Sequence, residues 1–251
     1  IIKPQIRQLP NGLDLTNSVE NEFYCLKLLE GFGLKVAKAE IVDFEDQRTL
    51  VLERFDRQWT RDGRLLRLPQ EDCYQALSVP PTLKYQNQGG PGLVQILDLL
   101  RGSDEPNADR LTVFKAQIIF WLIGATDGHA KNFSIFLGPG NTYRLTPLYD
   151  VLTAQPSLDR RQIERKQMKL ATSVGTSNHY GIEKIQQRHF IQTAEAAGLP
   201  KQLTAQALAE VAGAANTALS HAESSLPSEF PIAIHESVHR AMKKRLRILE
   251  G

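Results

Sequence analysis

Asp127 and Asn132 close the run Asp127-Gly128-His129-Ala130-Lys131-Asn132 at its two ends, and a second acid, Asp150, follows downstream. These residue types suit phosphoryl transfer. That reaction needs little covalent help from a protein; it needs positioning, and cations set against the phosphate charge. One carboxylate takes the proton of the accepting hydroxyl. Magnesium takes hard oxygens from one or two side chains and the rest from phosphates. Asn132 and Asp150 can supply two such oxygens if the chain between them folds back. Asp127 cannot be a good metal ligand and the base at once, so it is assigned to the hydroxyl.

The neighbouring segments fit that folding. An apolar helix is predicted over 111–125, ending just before Asp127. Strands are predicted at 133–137 and 143–145, joined by the turn Gly138-Pro139-Gly140-Asn141-Thr142, and the second runs on into Pro147-Leu148-Tyr149-Asp150. Helix, acidic loop, hairpin and second Asp resemble, in that order, the catalytic lobe of a protein kinase.

The rest of the chain divides into a front with strands and a helical remainder. Residues 1–6 read as a strand and Asn11-Gly12 as a turn. Residues 18–32 read as a helix with Val19, Phe23, Leu26 and Leu28 or Leu29 on one face, Asn17 and Glu20 as a capping box, and Gly31 or Gly33 at its end. Strands are predicted at 39–44 and 49–55, and a hairpin at Asp62-Gly63 between Trp59 and Leu65. From Gln70 on, helical patterning dominates, broken at Pro80-Pro81 and at Gly89-Gly90-Pro91-Gly92. The glycine run lacks a preceding strand and a following Lys-Ser/Thr, so it reads as a loop entering a helix at 93–101 rather than as a phosphate cradle. Residues 155–180 read as polar and irregular, and three helices close the chain near 188–197, 201–223 and 228–249. The expected fold is α+β and two-lobed, like a protein kinase: residues 1–56 are the remainder of a nucleotide-binding lobe with its hinge, and 57–251 a mostly helical catalytic lobe with a metal site borne on a hairpin.

Composition sets bounds. The chain has 251 residues, 41% hydrophobic and 23% charged, with a net charge of +2. That balance gives no global drive toward nucleic acid or membrane. Cys25 and Cys73 lack a paired motif and read as reduced thiols, so a cytoplasmic location is expected. No apolar run approaches the roughly 18 residues of a membrane span, and no signal peptide is visible.

A kinase also needs a strand lysine on the nucleotide phosphates and a helix glutamate to orient it. Lys3 lies in the first strand, and Glu22 in the first helix is placed to be its partner; Glu20, on another helix face, competes. Taken alone, Lys3 reads rather as a strand-edge charge and Glu22 as a solvated helix residue; it is the other motifs that favour the phosphate role. Leu50-Val51-Leu52-Glu53-Arg54-Phe55-Asp56-Arg57 reads as a strand leaving one lobe for the other, whose backbone can bond adenine, with Asp56 near ribose hydroxyls. Lys131 is suited to steady the transferring phosphate. His129 is placed to orient the loop or the nucleotide.

Glu53-Arg54-Phe55-Asp56-Arg57, Leu68-Pro69-Gln70-Glu71-Asp72, Lys84-Tyr85, Gly89-Gly90-Pro91-Gly92, Thr126-Asp127-Gly128-His129-Ala130-Lys131-Asn132 and Leu145-Thr146-Pro147-Leu148-Tyr149-Asp150 resemble the HipA family, the kinase toxins of bacterial toxin–antitoxin pairs. The resemblance runs over nearly the whole chain. It implies a serine/threonine protein kinase that uses ATP and Mg²⁺, phosphorylates itself and a cytosolic translation protein such as glutamyl-tRNA synthetase, and thereby arrests growth and causes persistence. It also implies a HipB-like helix-turn-helix antitoxin as partner, with operator DNA repressed and bound mainly through that antitoxin. Carried onto this chain, Asp127 is the base, Asn132 and Asp150 the metal ligands, and Lys3 the phosphate lysine. Glu53, Phe55 and Asp56 lie on the nucleotide hinge, and His129 lies near the nucleotide.

The family carries an N-terminal domain and a phosphate loop with an autophosphorylated serine, both upstream of the strand lysine, and these 251 residues begin at Ile1-Ile2-Lys3. The chain is therefore expected to be the remainder of a longer protein. Alone, it is expected to bind ATP weakly, with a partly unfolded front whose Ile1-Ile2 strand and first helix lack sheet partners. Two other readings stand beside this one. An aminoglycoside-type phosphotransferase also pairs a loop Asp with an Asn and a later Asp, although such proteins usually carry His-Gly-Asp where this chain has Asp-Gly-His. A catalytically idle antitoxin-binding scaffold is opposed by the intact Asp127, Asn132 and Asp150.

Overall fold

The computed structural model describes residues 1–10, 12–80 and 82–250. Asn11 of the expected Asn11-Gly12 turn and Pro81 of the expected Pro80-Pro81 break lie outside the described residues.

The front is a small sheet with one helix against it. Strands β1 (Ile2–Pro4), β2 (Arg7–Gln8) and β3 (Asp14–Leu15) precede helix α1 (Ser18–Gly31), and β4 (Ala39–Phe44) and β5 (Gln47–Leu52) follow. The sheet order is β1-β5-β4, antiparallel throughout, with Ile2 opposite Val51 and Ala39 opposite Leu52. The expectation that the Ile1-Ile2 strand would lack a partner is thus corrected: β5 has two edges, and β1 takes the one that β4 leaves.

Helix α1 has two apolar faces, not one. Val19, Phe23 and Leu26 pack on Leu50 and Leu52 of the sheet, while Tyr24, Cys25, Leu28 and Leu29 enter the larger helical core. Burial on both sides makes α1 the joint between front and remainder. Its expected Asn17 cap is absent. Instead Gln5, arriving from the other side, accepts hydrogen bonds from the Val19 N–H (3.0 Å) and the Ser18 hydroxyl (3.1 Å).

The remainder is mostly helical. Hairpin β6 (Arg57–Trp59) and β7 (Leu65–Arg67) forms around Gly63 as expected. Then come β8 (Gln70–Asp72), α2 (Cys73–Ala76), α3 (Leu93–Leu99), α4 (Pro106–Ile123), β9 (Ser134–Leu137), β10 (Tyr143–Leu145) and α5 (Gln155–Asp159). Last are β11 (Lys169–Val174), β12 (His179–Gly181), α6 (Gln187–Ala196), α7 (Lys201–Ser224) and α8 (Ala233–Glu250). Helix α8 starts later than its pattern suggested, just after Pro231, which cannot continue a helix from its N-terminal side.

Two expectations are overturned. Residues 70–72 are a strand: β9 pairs with β10 on one edge, and β8 covers the other, with Asp72 opposite Ser134. Asp72 then caps α2, so the strand ends where the helix begins. Residues 155–180 are not irregular. Strand β11 is buried from Leu170 to Val174, and its polar members are satisfied internally. Thr172 bonds Gln117 of α4 at 3.1 Å, and the Ser173 N–H donates to Gln86 at 2.8 Å. Buried polar groups with partners escape a search for apolar periodicity.

Candidate active site

Helix α4 delivers the acidic loop. Its core-facing residues, from Val113 through Ile123, are buried, and it stops at Gly124, whose φ of +73° is a left-handed conformation that glycine adopts without penalty. Gly128 then passes over the Phe120 ring so closely that an added Cβ would lie 2.5 Å from it. A side chain there would push the loop, and Asp127 with it, off the helix end. The loop closes as a short 3-10 turn, Ala130–Asn132, and enters β9.

The hairpin folds back as the spacing required. Asn132 Nδ2 donates to the Asp127 carbonyl at 2.9 Å and to the Asp150 carbonyl at 3.2 Å. One amide thus ties the two acidic segments together, and its Oδ1 is the atom left for a ligand. Asp150 holds a φ of +57°, uncommon for a residue with a Cβ. Such conformations persist where the surroundings enforce them, and they cluster at functional sites. The Tyr149 hydroxyl, donating to the Lys131 carbonyl at 2.9 Å and met by the Ser134 hydroxyl, pins the same stretch.

Lys3 reaches this loop from the front. Its ammonium lies 2.8 Å from both Glu22 and Asp150. Burial works against its charge, but the two carboxylates outweigh burial and hold its pKa above the usual lysine value. Burial also pushes the Glu22 carboxyl upward, against the pull of Lys3. The competitor Glu20 is engaged elsewhere, accepting from Gln5 at 2.7 Å and facing Arg48 at 3.1 Å. Asn21, between them, locks α1 to the segment after Asp150: its side chain both donates to the Thr153 carbonyl and accepts from the Thr153 N–H, each at 2.9 Å.

Next to Lys3 lies a cavity of about 290 Å³ lined by Leu52, Glu53, Phe55, Gln70, Tyr149 and Asp150 among others. Among the described residues, neither the Glu53 carbonyl nor the Phe55 N–H takes a hydrogen bond, so this stretch offers one free acceptor and one free donor two residues apart. Phe55 is held by edge-on packing against Phe136 and by a tilted contact with Tyr149. The Glu53 side chain points to solvent and pairs with Lys38 at 3.1 Å. Asp56 departs from its expected role. It is buried, and its carboxylate is clamped by Arg54 at 2.7 and 2.8 Å and by Arg57, so it is not free for ribose hydroxyls.

The Asp127 carboxylate accepts from the Tyr85 hydroxyl on Oδ1 at 2.8 Å and from Lys84 on Oδ2 at 3.1 Å. Neither residue has a role in the sequence reading. They stand in a quoted motif, but no periodicity marks them, because they come from a loop far along the chain. His129 is buried with both ring nitrogens unpartnered, its Nε2 3.8 Å from Asp127 Oδ1. Burial keeps its pKa low. Lys131 is half-buried, and its ammonium forms no ion pair among the described residues. Among those residues no group of three His, Cys, Asp or Glu side chains could hold a metal unaided. Two protein oxygens, from Asn132 and Asp150, suit a cation that completes its shell on phosphates.

The profile of the HipA-like C-terminal domain matches residues 1–219. The chain belongs to that family. Among relatives, the provisionally named kinase Y4mE of Sinorhizobium fredii is 38% identical over 171 residues, 66% of this chain and 38% of that protein. The serine/threonine-protein kinase toxin HipA of Shewanella oneidensis is 30% identical over 156 residues, 57% of this chain and 36% of that protein. This chain therefore corresponds to only part of the length of those relatives. In solved structures, the Shewanella HipA seen with HipB and operator DNA superposes with a TM-score of 0.79 at 23% identity, covering 92% of this chain and 56% of that one. The Helicobacter pylori proinflammatory kinase CtkA gives 0.64 at 14% identity, covering 94% and 85%. At these identities the likeness is one of fold, and the fold is the α+β architecture of HipA-like kinases. No helix among the described residues is long and apolar enough to cross a membrane.

Proposed function

We propose that this chain is the catalytic part of an ATP- and Mg²⁺-dependent serine/threonine protein kinase of the HipA type. The observation that carries the reading is Lys3, 2.8 Å from Glu22 of α1 and 2.8 Å from Asp150 at the end of the hairpin. A strand lysine joined to a helix glutamate and a metal-site aspartate is the phosphate-binding core of a kinase.

The free Glu53 carbonyl and Phe55 N–H fit the edge of an adenine, and the cavity beside them leads to Lys3. The orphaned, buried nitrogens of His129 fit a polar ligand between Asp127 and the hairpin. Asn132 Oδ1 and the Asp150 carboxylate would hold magnesium, which supplies positive charge against the phosphates and fixes their geometry. Lys3 then orients the phosphates, and Glu22 keeps Lys3 aimed. Asp127 accepts the proton of the acceptor hydroxyl as that oxygen bonds the γ-phosphorus and the bond to ADP breaks. Lys131 is a cation free to meet the transferred phosphoryl group.

An antitoxin as partner is supported by the HipB bound to the structural neighbour, in a complex that also holds operator DNA; that the antitoxin is a helix-turn-helix protein and that the DNA is reached mainly through it rest on the family resemblance. The protein substrate, an aminoacyl-tRNA synthetase such as glutamyl-tRNA synthetase, and the growth arrest, persistence and autophosphorylation that go with it, rest on the family resemblance. The test is incubation of the natural full-length protein with γ-labelled ATP, Mg²⁺ and a cytosolic extract, followed by mass spectrometry. Phosphoserine or phosphothreonine that disappears with Asp127→Asn supports the reading. Label on an aminoglycoside and on no protein would replace it with small-molecule phosphotransfer.

A further inference from the structure

We infer that the Lys84-Tyr85 dipeptide sets the catalytic base: Lys84 fixes one oxygen of Asp127, and the Tyr85 hydroxyl occupies, on the other oxygen, the place that the acceptor hydroxyl must take. The inference rests on the kinase reading above and adds to it two positioning residues.

The geometry divides the carboxylate. Lys84 Nζ is 3.1 Å from Oδ2 and the Tyr85 hydroxyl 2.8 Å from Oδ1. A general base must hold one oxygen within hydrogen-bond reach of the proton it removes. With Oδ2 held by an ammonium, Oδ1 is the oxygen that meets the acceptor. A hydroxyl already donates to it at the distance an incoming serine or threonine would adopt.

An exposed ion pair by itself contributes little, and both partners here are about half-exposed. What distinguishes this pair is that its backbone is fixed. The Tyr74 hydroxyl, on α2, donates to the carbonyls of both Leu83 and Lys84. Gly90 packs so closely beneath them that an added Cβ would lie 2.2 Å from the Leu83 carbonyl oxygen. Gln86 accepts from the Ser173 N–H at 2.8 Å, anchoring the next residue to β11. The Tyr85 ring sits edge-on against His129 with centroids 6.0 Å apart, and the Lys84 ammonium lies 5.4 Å from the Tyr85 ring centroid. Burial opposes the charge of Lys84, yet its bond to Asp127 holds its pKa above the usual value. The Lys131 ammonium, by contrast, makes no hydrogen bond to Asp127 among the described residues, and its carbonyl accepts from Tyr149.

The test uses the natural full-length protein with γ-labelled ATP, Mg²⁺ and a degenerate serine/threonine peptide mixture. Lys84→Met should lower kcat about 10²-fold, the loss expected when a reacting group shifts by about an ångström. KM for ATP should stay within about twofold and the melting temperature should hold, because the pair is exposed. Lys84→Arg should recover most of the rate. Tyr85→Phe should raise kcat/KM for the peptides several-fold, since nothing then competes for Oδ1. An unchanged kcat in Lys84→Met overturns the inference while the kinase reading stands. A fall in Tyr85→Phe as deep as in Lys84→Met overturns the acceptor-place assignment. Wild-type protein that neither labels peptide nor hydrolyses ATP overturns inference and kinase reading together.

Discussion

Lys3 and Asp150 meet at 2.8 Å although they stand 147 positions apart in sequence. The contact joins the first strand of the front sheet to the end of the catalytic hairpin. Glu22 stands on the far side of the same ammonium, so a single cation is shared between α1 and the hairpin.

Removing that cation should have two separable effects. Lys3→Met leaves the buried Glu22 carboxylate without its partner, a loss of about 1–3 kcal/mol in urea unfolding. It also removes the cation proposed to meet the nucleotide phosphates, so ATP titration should show much weaker binding. Adding Glu22→Gln should restore part of the stability and none of the affinity. If the double variant regained ATP affinity, Lys3 would be a structural charge only.

Asp127→Asn keeps volume and the carbonyl-like oxygen while removing basicity. Phosphoryl transfer should fall by about 10²–10⁴-fold with an unchanged circular dichroism spectrum and melting temperature. Full activity in a quantitative transfer assay would dismiss Asp127 as the base.

Asp150→Asn removes the anionic member of the pair expected to hold magnesium. Calorimetry should then show ATP affinity that no longer depends on Mg²⁺. Retained dependence would leave Asp150 as a partner of Lys3 and nothing more.

The site was legible where chemistry demands fixed spacing. The Asp127–Asn132 loop, the returning hairpin, Asp150, and Glu22 as the Lys3 partner all stand where the sequence reading placed them. Less legible were interactions that cross long stretches of chain without periodicity. Lys84 and Tyr85 reach Asp127 from a loop, and Asn21 reaches Thr153 from a helix. A pattern rule reads neighbours along one element, and these partners share no element. Asp56 differs for the opposite reason: Arg54 and Arg57, its own sequence neighbours, take the carboxylate that ribose was expected to meet. Strand β11 was missed because Thr172 and Ser173 look solvated until Gln117 and Gln86 are seen against them.

Asp159 gives the fold a dependence on pH. It ends α5, shortly after the Asp150 segment, and ties that region to α8. Its carboxylate accepts from Ser237 at 2.7 Å, Gln155 at 3.0 Å and Arg240 at 3.0 Å. Burial pushes its pKa up, but these three donors outweigh burial and hold it below the ordinary 3.8. The folded state therefore binds the Asp159 proton less readily than the unfolded chain does. The resulting stabilisation is complete above the unfolded value and is lost as pH falls through the lowered folded value. Asp159→Asn should cost about 1 kcal/mol at pH 7, since hydrogen bonds to a charged acceptor weaken when the charge is removed. Urea unfolding of both proteins from pH 7 down to pH 3 checks this: the gap between them should close as acid protonates the wild-type carboxylate. A gap that stays constant over that range would mean that Asp159 acts through shape alone.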